Sequence, residues 1–393
     1  MSRFMDWPRT PLERIPARRF KPPFCPWKLC PSHRLNNFRC VRDGYYSRKC
    51  DRRRIPRFRC KICNRGFGQQ TFSNTYYLKK PALLPKVAAG LVACGASRQI
   101  ARMLGCSHTT VVHQANRIGR HALLLNSLAL DQLDTLREPM VLDHFETYQY
   151  CQEMAVGVAT VAGARSRFIY AIDPTLHRQG GEMRPVRAKR LKSLIRRHGA
   201  LPTGSYRKST VRVLEKLLPK VRSGESLRLI TDGKPDYRAA AAPHIGSGRL
   251  KLASYPNPPR RLKHEPKSEQ AVLRDRAMFP VDVLHKMIRH SSANHKRETI
   301  AHGRRVNSIM LRLYVFVIWV NFVKDRSERR PRGRSPGMDV GLVKGILDWK
   351  QVLSSRLFPW RQKLSGMDRK LYSMAMETPA VGNNRRHELI NAY

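Results

Sequence analysis

Residues 227–234 read Leu-Arg-Leu-Ile-Thr-Asp-Gly-Lys. Leu227, Leu229 and Ile230 alternate or run together and then stop at Asp232 and Gly233. The pattern predicts a short, mostly buried strand whose C-terminal end delivers a carboxylate to a turn. Open α/β sheets bind ligands beyond the carboxyl ends of their strands, which makes Asp232 a site candidate. Asp-Gly is also a common turn dipeptide, so taken alone the stretch balances the two readings.

The neighbouring segments supply the rest of a sheet. Residues 139–148 alternate around Asp143, and residues 154–161 and 168–173 follow as two more strands joined by short turns. Residues 174–207 form a basic excursion with few apolar positions. Residues 209–221 place Val211, Val213, Leu214, Leu217 and Leu218 at helical spacing. After the opening strand come a short helix over 237–242 and a final strand over 250–255. Long helices over 268–323 follow, carrying Asp282, His285, Lys286 and Arg289 on one face. The order of elements predicts an α/β layer arrangement with a mixed sheet.

Upstream lies a different kind of sequence. Six of the nine cysteines fall before residue 64, among them Cys25-Pro-Trp-Lys-Leu-Cys30 and Cys60-Lys-Ile-Cys63. Two close cysteine pairs separated by a loop supply the four thiolates of a tetrahedral Zn²⁺ site. His33, Cys40 and Cys50 are spare ligand candidates. Between the pairs, Arg52, Arg53 and Arg54 belong to a basic run interleaved with Ile55 and Phe58, suited to phosphate contact. Residues 97–117 have the layout of a helix-turn-helix: a core face of Ile100, Ala101 and Leu104, Gly105 at the turn, and Ser107 as the next cap. The second helix would offer His108, Thr109, Thr110, His113, Gln114 and Arg117 to a major groove.

Composition agrees with a nucleic-acid partner. In 393 residues, Lys and Arg number 76 against 28 Asp and Glu, a net charge of +48 that a polyanion would neutralise. A membrane partner is disfavoured, because the basic residues do not cluster beside an apolar anchor and the most apolar run, residues 309–323, is interrupted by Arg312. Residues 1–20 lack the apolar core of a secretory signal, so a cytoplasmic location is expected.

Cysteine ribbon, helix-turn-helix and acids at strand ends, in this order, resemble bacterial insertion-sequence transposases of the DDE type. The resemblance covers roughly residues 22–325. It is carried by Arg57-Phe-Arg-Cys-Lys-Ile-Cys-Asn-Arg-Gly-Phe67, the helix-turn-helix, Val141-Leu-Asp-His-Phe-Glu146, Ile230-Thr-Asp-Gly233 and Asn294-His-Lys-Arg-Glu-Thr-Ile300. It implies a basic arm (1–21), a zinc ribbon (22–78), a helix-turn-helix DNA-binding domain (79–130), an RNase H-like catalytic domain (138–325) and a basic C-terminal tail (326–393). It further implies three carboxylates binding Mg²⁺ (or Mn²⁺), with Asp143 and Asp232 as the first two. The third is Asp282 or Glu298. Asp282 shares its face with His285 and Arg289, whereas Glu298 has the residue type usual in the family. Continuous helix would separate them by about 24 Å, so both cannot serve. The implied partners are double-stranded DNA, as terminal repeats and target, and a second copy of the chain, in a bacterial, nucleoid-associated setting. The competing readings are a DNA-binding regulator or inactive remnant without a complete triad, and an RNase H-like nuclease that does not transpose.

Overall fold

The computed structural model describes residues 5, 15–34, 38–177, 183–200, 202–259, 261–262, 264–378 and 380–381. The N-terminal unit is a three-stranded antiparallel sheet of β1 (Cys40–Ser47), β2 (Arg54–Cys60) and β3 (Gly66–Gly68). Its small core is aromatic: Phe20, Phe58, Phe67, Phe72 and Phe358 are all buried. So little apolar surface is marginal by itself, which is why the adjacent cysteine cluster matters to its stability.

Three helices follow: α1 (Leu83–Val92), α2 (Ser97–Met103) and α3 (His108–Gln132). Gly105 adopts φ +57° at the turn between α2 and α3, a left-handed conformation that glycine takes without strain. The Ser107 hydroxyl then caps α3 by accepting from the Thr110 amide. Ile100 and Ala101 of α2 are buried, as are Val111 and Ala115 of α3, while Leu104 is half-buried.

The central sheet has five strands, β4 (Met140–Tyr148), β5 (Ala155–Gly163), β6 (Ile169–Leu176), β7 (Leu227–Thr231) and β8 (Leu250–Ser254), in the order β6-β5-β4-β7-β8. β4, β5 and β6 form an antiparallel meander, while β7 lies parallel to β4 and β8 parallel to β7. This is the expected mixed α/β class. Parallel neighbours need crossover connections. Between β6 and β7 run α4 (Pro185–His198) and α5 (Ser205–Leu217), and α6 (Pro235–Gly246) returns the chain to β8. Every residue of β5 is buried, as a strand covered on both faces must be. α7 (Glu269–Ser291) brings His285 against Phe145 on one face of β4, and Tyr206 of α5 and Tyr237 of α6 pack on His144 on the other.

Two segments differ from the sequence-based expectation. The basic excursion contains α4, whose only buried residue is Leu191; a helix that buries so little carries no apolar stripe to read. The other is the segment after 325, expected as a basic tail. Its described part is woven into the fold: Leu342, Val343, Leu347, Val352, Leu353 and Leu371 join the main core, and Phe358 joins the N-terminal aromatic cluster. Asn74 Nδ2 donates to the carbonyls of Leu353 (3.2 Å) and Ser355 (2.8 Å), and the Arg356 amide to that of Phe72 (2.9 Å).

α8 (Val306–Ile318) forms the spine joining these parts. It crosses α3 so closely that a Cβ on Gly119 would stand 2.6 Å from Leu311 Cβ. The run Val306–Val323 is long and apolar enough to cross a membrane by composition, with a mean hydropathy of 1.7, yet 78% of it is buried inside the protein. Its apolarity is accounted for by the core. The expected boundary between helix-turn-helix and sheet domain therefore does not separate two cores: α1–α3, the five-stranded sheet, α7 and α8 share one.

Candidate functional site

β4 and β7 are parallel neighbours paired through Met140–Leu229 and Val141–Ile230, and this register brings two acids together. Asp143 sits within β4, opposite Thr160 of β5. Asp232 is the first residue beyond β7. Between them stands the Lys234 ammonium, 3.6 Å from Asp143 Oδ1 and 3.6 Å from Asp232 Oδ2. Gly233 makes this possible: its φ of +85° folds the chain back on itself, and the Lys234 amide donates to Asp232 Oδ1 at 3.3 Å.

Asp143 is further held by two donors to Oδ1, the His144 amide at 2.7 Å and the Tyr237 hydroxyl at 3.1 Å. Burial pushes the Asp143 carboxyl above the usual range; Lys234 opposes this and the Asp232 charge adds to it. Behind the pair, His144 Nδ1 lies 2.8 Å from the Tyr237 hydroxyl and its Nε2 2.8 Å from Ser209 Oγ. The two nitrogens thus have polar partners while burial keeps the ring neutral.

α7 closes the other side. His285 Nε2 lies 2.6 Å from Thr160 Oγ1, and Nδ1 lies 3.8 Å from Asp143 Oδ2. Burial, aided by Arg289 and Lys234, lowers this histidine to about 3, so it too is neutral. Asp282, about one turn earlier on the same face, is clasped by the Arg274 guanidinium through both oxygens. Arg274 Nε in turn donates to Asn257 Oδ1 at 3.0 Å, and Asn257 Nδ2 to Asp232 Oδ2 at 3.3 Å. A continuous polar path therefore runs Asp232–Asn257–Arg274–Asp282. Glu298 is not on it. α7 ends at Ser291, and Glu298 is exposed on the loop beyond.

Of the two candidates for a third acid, Asp282 is thus the one linked to the pair, through Arg274 and Asn257. Among the described residues, the only group of three or more potential ligands whose donor atoms all lie within 4.8 Å of one another is a cysteine cluster. Lys234, Tyr237, Asn257 and Arg274 went unrecognised in the sequence. For Lys234 a signal existed, a base two residues after the acid at the start of a helix; for Asn257 and Arg274 none did. No protein-family model and no curated protein matches the chain.

The cysteine cluster is Cys25, Cys30, Cys60 and Cys63. Cys25 Sγ lies 3.6 Å from Cys63 Sγ, and Cys30 Sγ 3.8 Å from Cys60 Sγ. A tetrahedron with metal–sulfur bonds of about 2.3 Å has edges near 3.8 Å, whereas a disulfide would be about 2.0 Å. The four thiols can therefore hold a metal ion such as zinc. Burial raises the Cys60 thiol too, but the amides of Cys63 and Ile62 outweigh it and draw Cys60 down toward the thiolate. Of the spare candidates, His33 lies outside the group of four, with its Nδ1 2.8 Å from the Cys25 carbonyl, and Cys50 is exposed.

The predicted DNA-contacting residues divide into two groups. His108, Thr109 and His113 are exposed on α3, and Thr110 turns back to Ser107 Oγ at 2.8 Å. Gln114 is buried, its Nε2 donating to the Lys80 carbonyl at 3.0 Å. Arg117 donates to the carbonyls of Asn74 (3.0 Å) and Tyr76 (2.6 Å). These two clamp the linker before α1 onto α3, so they leave the exposed face. In the N-terminal hairpin Arg52 and Arg54 are exposed, with Arg54 over the Tyr45 ring at 4.3 Å, while Arg53 pairs with Asp51 at 2.7 Å.

Proposed function

We propose that the chain is a DDE-type DNA transposase, binding the terminal repeats of a mobile element and cutting and joining DNA strands at Asp143 and Asp232. The observation that carries the reading is the pairing of β4 with β7. The order β6-β5-β4-β7-β8, antiparallel then parallel, is the arrangement expected of an RNase H-like sheet, with Asp143 within β4 and Asp232 directly after the parallel neighbour β7.

The donor set suits a hard divalent cation. Carboxylate oxygens of two acids already share one positive charge, and burial disfavours leaving them uncompensated. Bound there, Mg²⁺ or Mn²⁺ would supply Lewis-acid polarisation of a phosphodiester and activation of water or a 3′-hydroxyl. The protein's own part is orientation. The His144 amide and the Tyr237 hydroxyl fix one Asp143 oxygen and leave the other facing α7. Asn257 and the Lys234 amide hold Asp232 from opposite oxygens. Asp282 completes the set once Arg274 releases it, and Arg274 is then free for a phosphate.

DNA binding falls to three basic surfaces. Lys80, Arg98, Arg102 and His108 line a groove beside the α2–α3 turn, next to Thr109 and His113. Arg52 and Arg54 extend from the β1–β2 hairpin, and α4 is basic along its length, with Arg187, Lys189, Arg190, Lys192, Arg196 and Arg197. Zn²⁺ in the cysteine cluster would hold the hairpin in place. Two element ends must be brought together, which favours a homo-oligomer.

One observation favours a second reading. Among the described residues, the Arg274–Asp282 clasp leaves only Asp143 and Asp232 as acids at the centre, as in a DNA-binding protein that has lost catalysis. Incubating the purified protein with Mg²⁺ and a supercoiled plasmid bearing the DNA that flanks its coding sequence separates the two. A transposase nicks the plasmid at the element ends and exposes 3′-hydroxyls; a regulator retards the DNA and leaves it intact.

A further inference from the structure

The Lys234 ammonium occupies a built cation site. Besides the two carboxylate contacts at 3.6 Å, it stands 5.3 Å from the Tyr206 ring centroid and 5.7 Å from that of Tyr237. Two anions and two ring faces converge on one charge, each of them favouring a cation. The residue's other features are those of a removable occupant. Its side chain is 40% exposed while Asp232 keeps only 5%, so the ammonium has a way out to solvent that the acids lack. The backbone amide bond to Asp232 Oδ1 does not depend on where the ammonium points.

We propose that Lys234 is a built-in counter-cation: it neutralises the Asp143–Asp232 pair in the metal-free protein and swings out when a divalent cation takes its place. This rests on the reading of the acid pair as a cation site. An ammonium and a divalent ion cannot share so small a space, because like charges at such separations repel strongly even with protein screening. The cation must therefore displace Lys234, and its apparent affinity is reduced by the competition. Once displaced, the ammonium lies at the rim of the site, available to a phosphate of the bound strand.

The test is Mn²⁺ binding to the zinc-loaded full-length protein, followed by electron paramagnetic resonance and calorimetry, without any substrate. Asp232→Asn is expected to lose the site. Lys234→Met, which keeps the stem and removes the charge, is expected to bind Mn²⁺ at least about tenfold more tightly than wild type, a conservative figure for removing a charge at this distance. Lys234→Gln guards against a folding defect in the first variant, and both are checked by circular dichroism. If wild type binds Mn²⁺ through Asp232 but neither lysine variant binds more tightly, the counter-cation proposal is overturned while the acid pair stands. If wild type and both lysine variants show no Asp232-dependent Mn²⁺ binding, the reading of the acid pair fails and the proposal fails with it.

Discussion

Gly119 of α3 and Leu311 of α8 meet backbone to backbone, with room for no Cβ between them: one placed on Gly119 would lie 2.6 Å from both Leu311 Cβ and its carbonyl oxygen. The helix that carries the exposed His108, Thr109 and His113 is thereby fixed to the core that carries Asp143. A larger residue at 119 forces the two helices apart, and overpacking of this kind costs about 1–3 kcal/mol. Gly119→Leu is accordingly expected to lower the melting temperature of the whole protein in one transition. Two separate transitions, with only one of them shifted, would show that the helices and the sheet fold independently.

The N-terminal sheet depends on its cysteines and on Phe358 from far along the chain. Metal analysis is expected to find one zinc per chain in the wild type and none in Cys60→Ser. Because Phe24, Phe72 and Phe358 pack ring to ring, loss of the metal should also expose the C-terminal segment to protease. Protease resistance unchanged by chelation would disconnect the two.

How much of this could be read from the chain alone depended on whether a residue's role was local. Leu227, Leu229 and Ile230 announced a strand, and Cys60 and Cys63 a metal knuckle, because period and spacing are properties of a few neighbouring residues. Helical spacing places Gln114 and Arg117 on the outer face of α3, whereas the linker at Asn74, Tyr76 and Lys80 folds over them and takes their donors. Arg274 and Asn257 lie far in sequence from Asp232, and no local pattern marks a contact made only by tertiary folding. The segment after 325 reads as charged, with only a weakly helical piece over 343–358, because its apolar residues serve two cores at irregular intervals.

Buried histidines set a pH dependence. Burial lowers His121 to about 4, with the Val352 carbonyl at 2.9 Å opposing and Arg356 assisting. The folded state thus resists a proton that the unfolded state accepts below about 6.5. The unfolded chain binds more protons in that window, so this histidine's contribution is complete above about pH 6.5 and declines as pH falls toward about 4. Between pH 6.5 and 5 the loss is about 2 kcal/mol. Denaturant titrations of wild type and His121→Asn should show a shallower acid-side decline in the variant. Parallel curves would mean that His121 does not carry the effect.

The Arg274–Asp282 clasp separates the two candidates for the third acid. If Asp282 enters the site on activation, Asp282→Asn should lower Mg²⁺-dependent cleavage at least about a hundredfold, the scale of losing one catalytic contact. Glu298→Gln should cleave as wild type does. The opposite result, with Glu298 essential and Asp282 dispensable, would require the exposed Glu298 to turn inward from the loop after α7, which already packs on β4 through His295 and Thr299.

The most direct test of the account is cleavage by Asp232→Ala in parallel with its DNA binding. On a duplex carrying the element's terminal repeat, with Mg²⁺ present, the variant is expected to bind as wild type does. It should produce no cleaved strand, because Asp232 belongs to the acid pair and not to the helices or the hairpin. Retained cleavage would contradict the assignment of Asp143 and Asp232 as the catalytic centre.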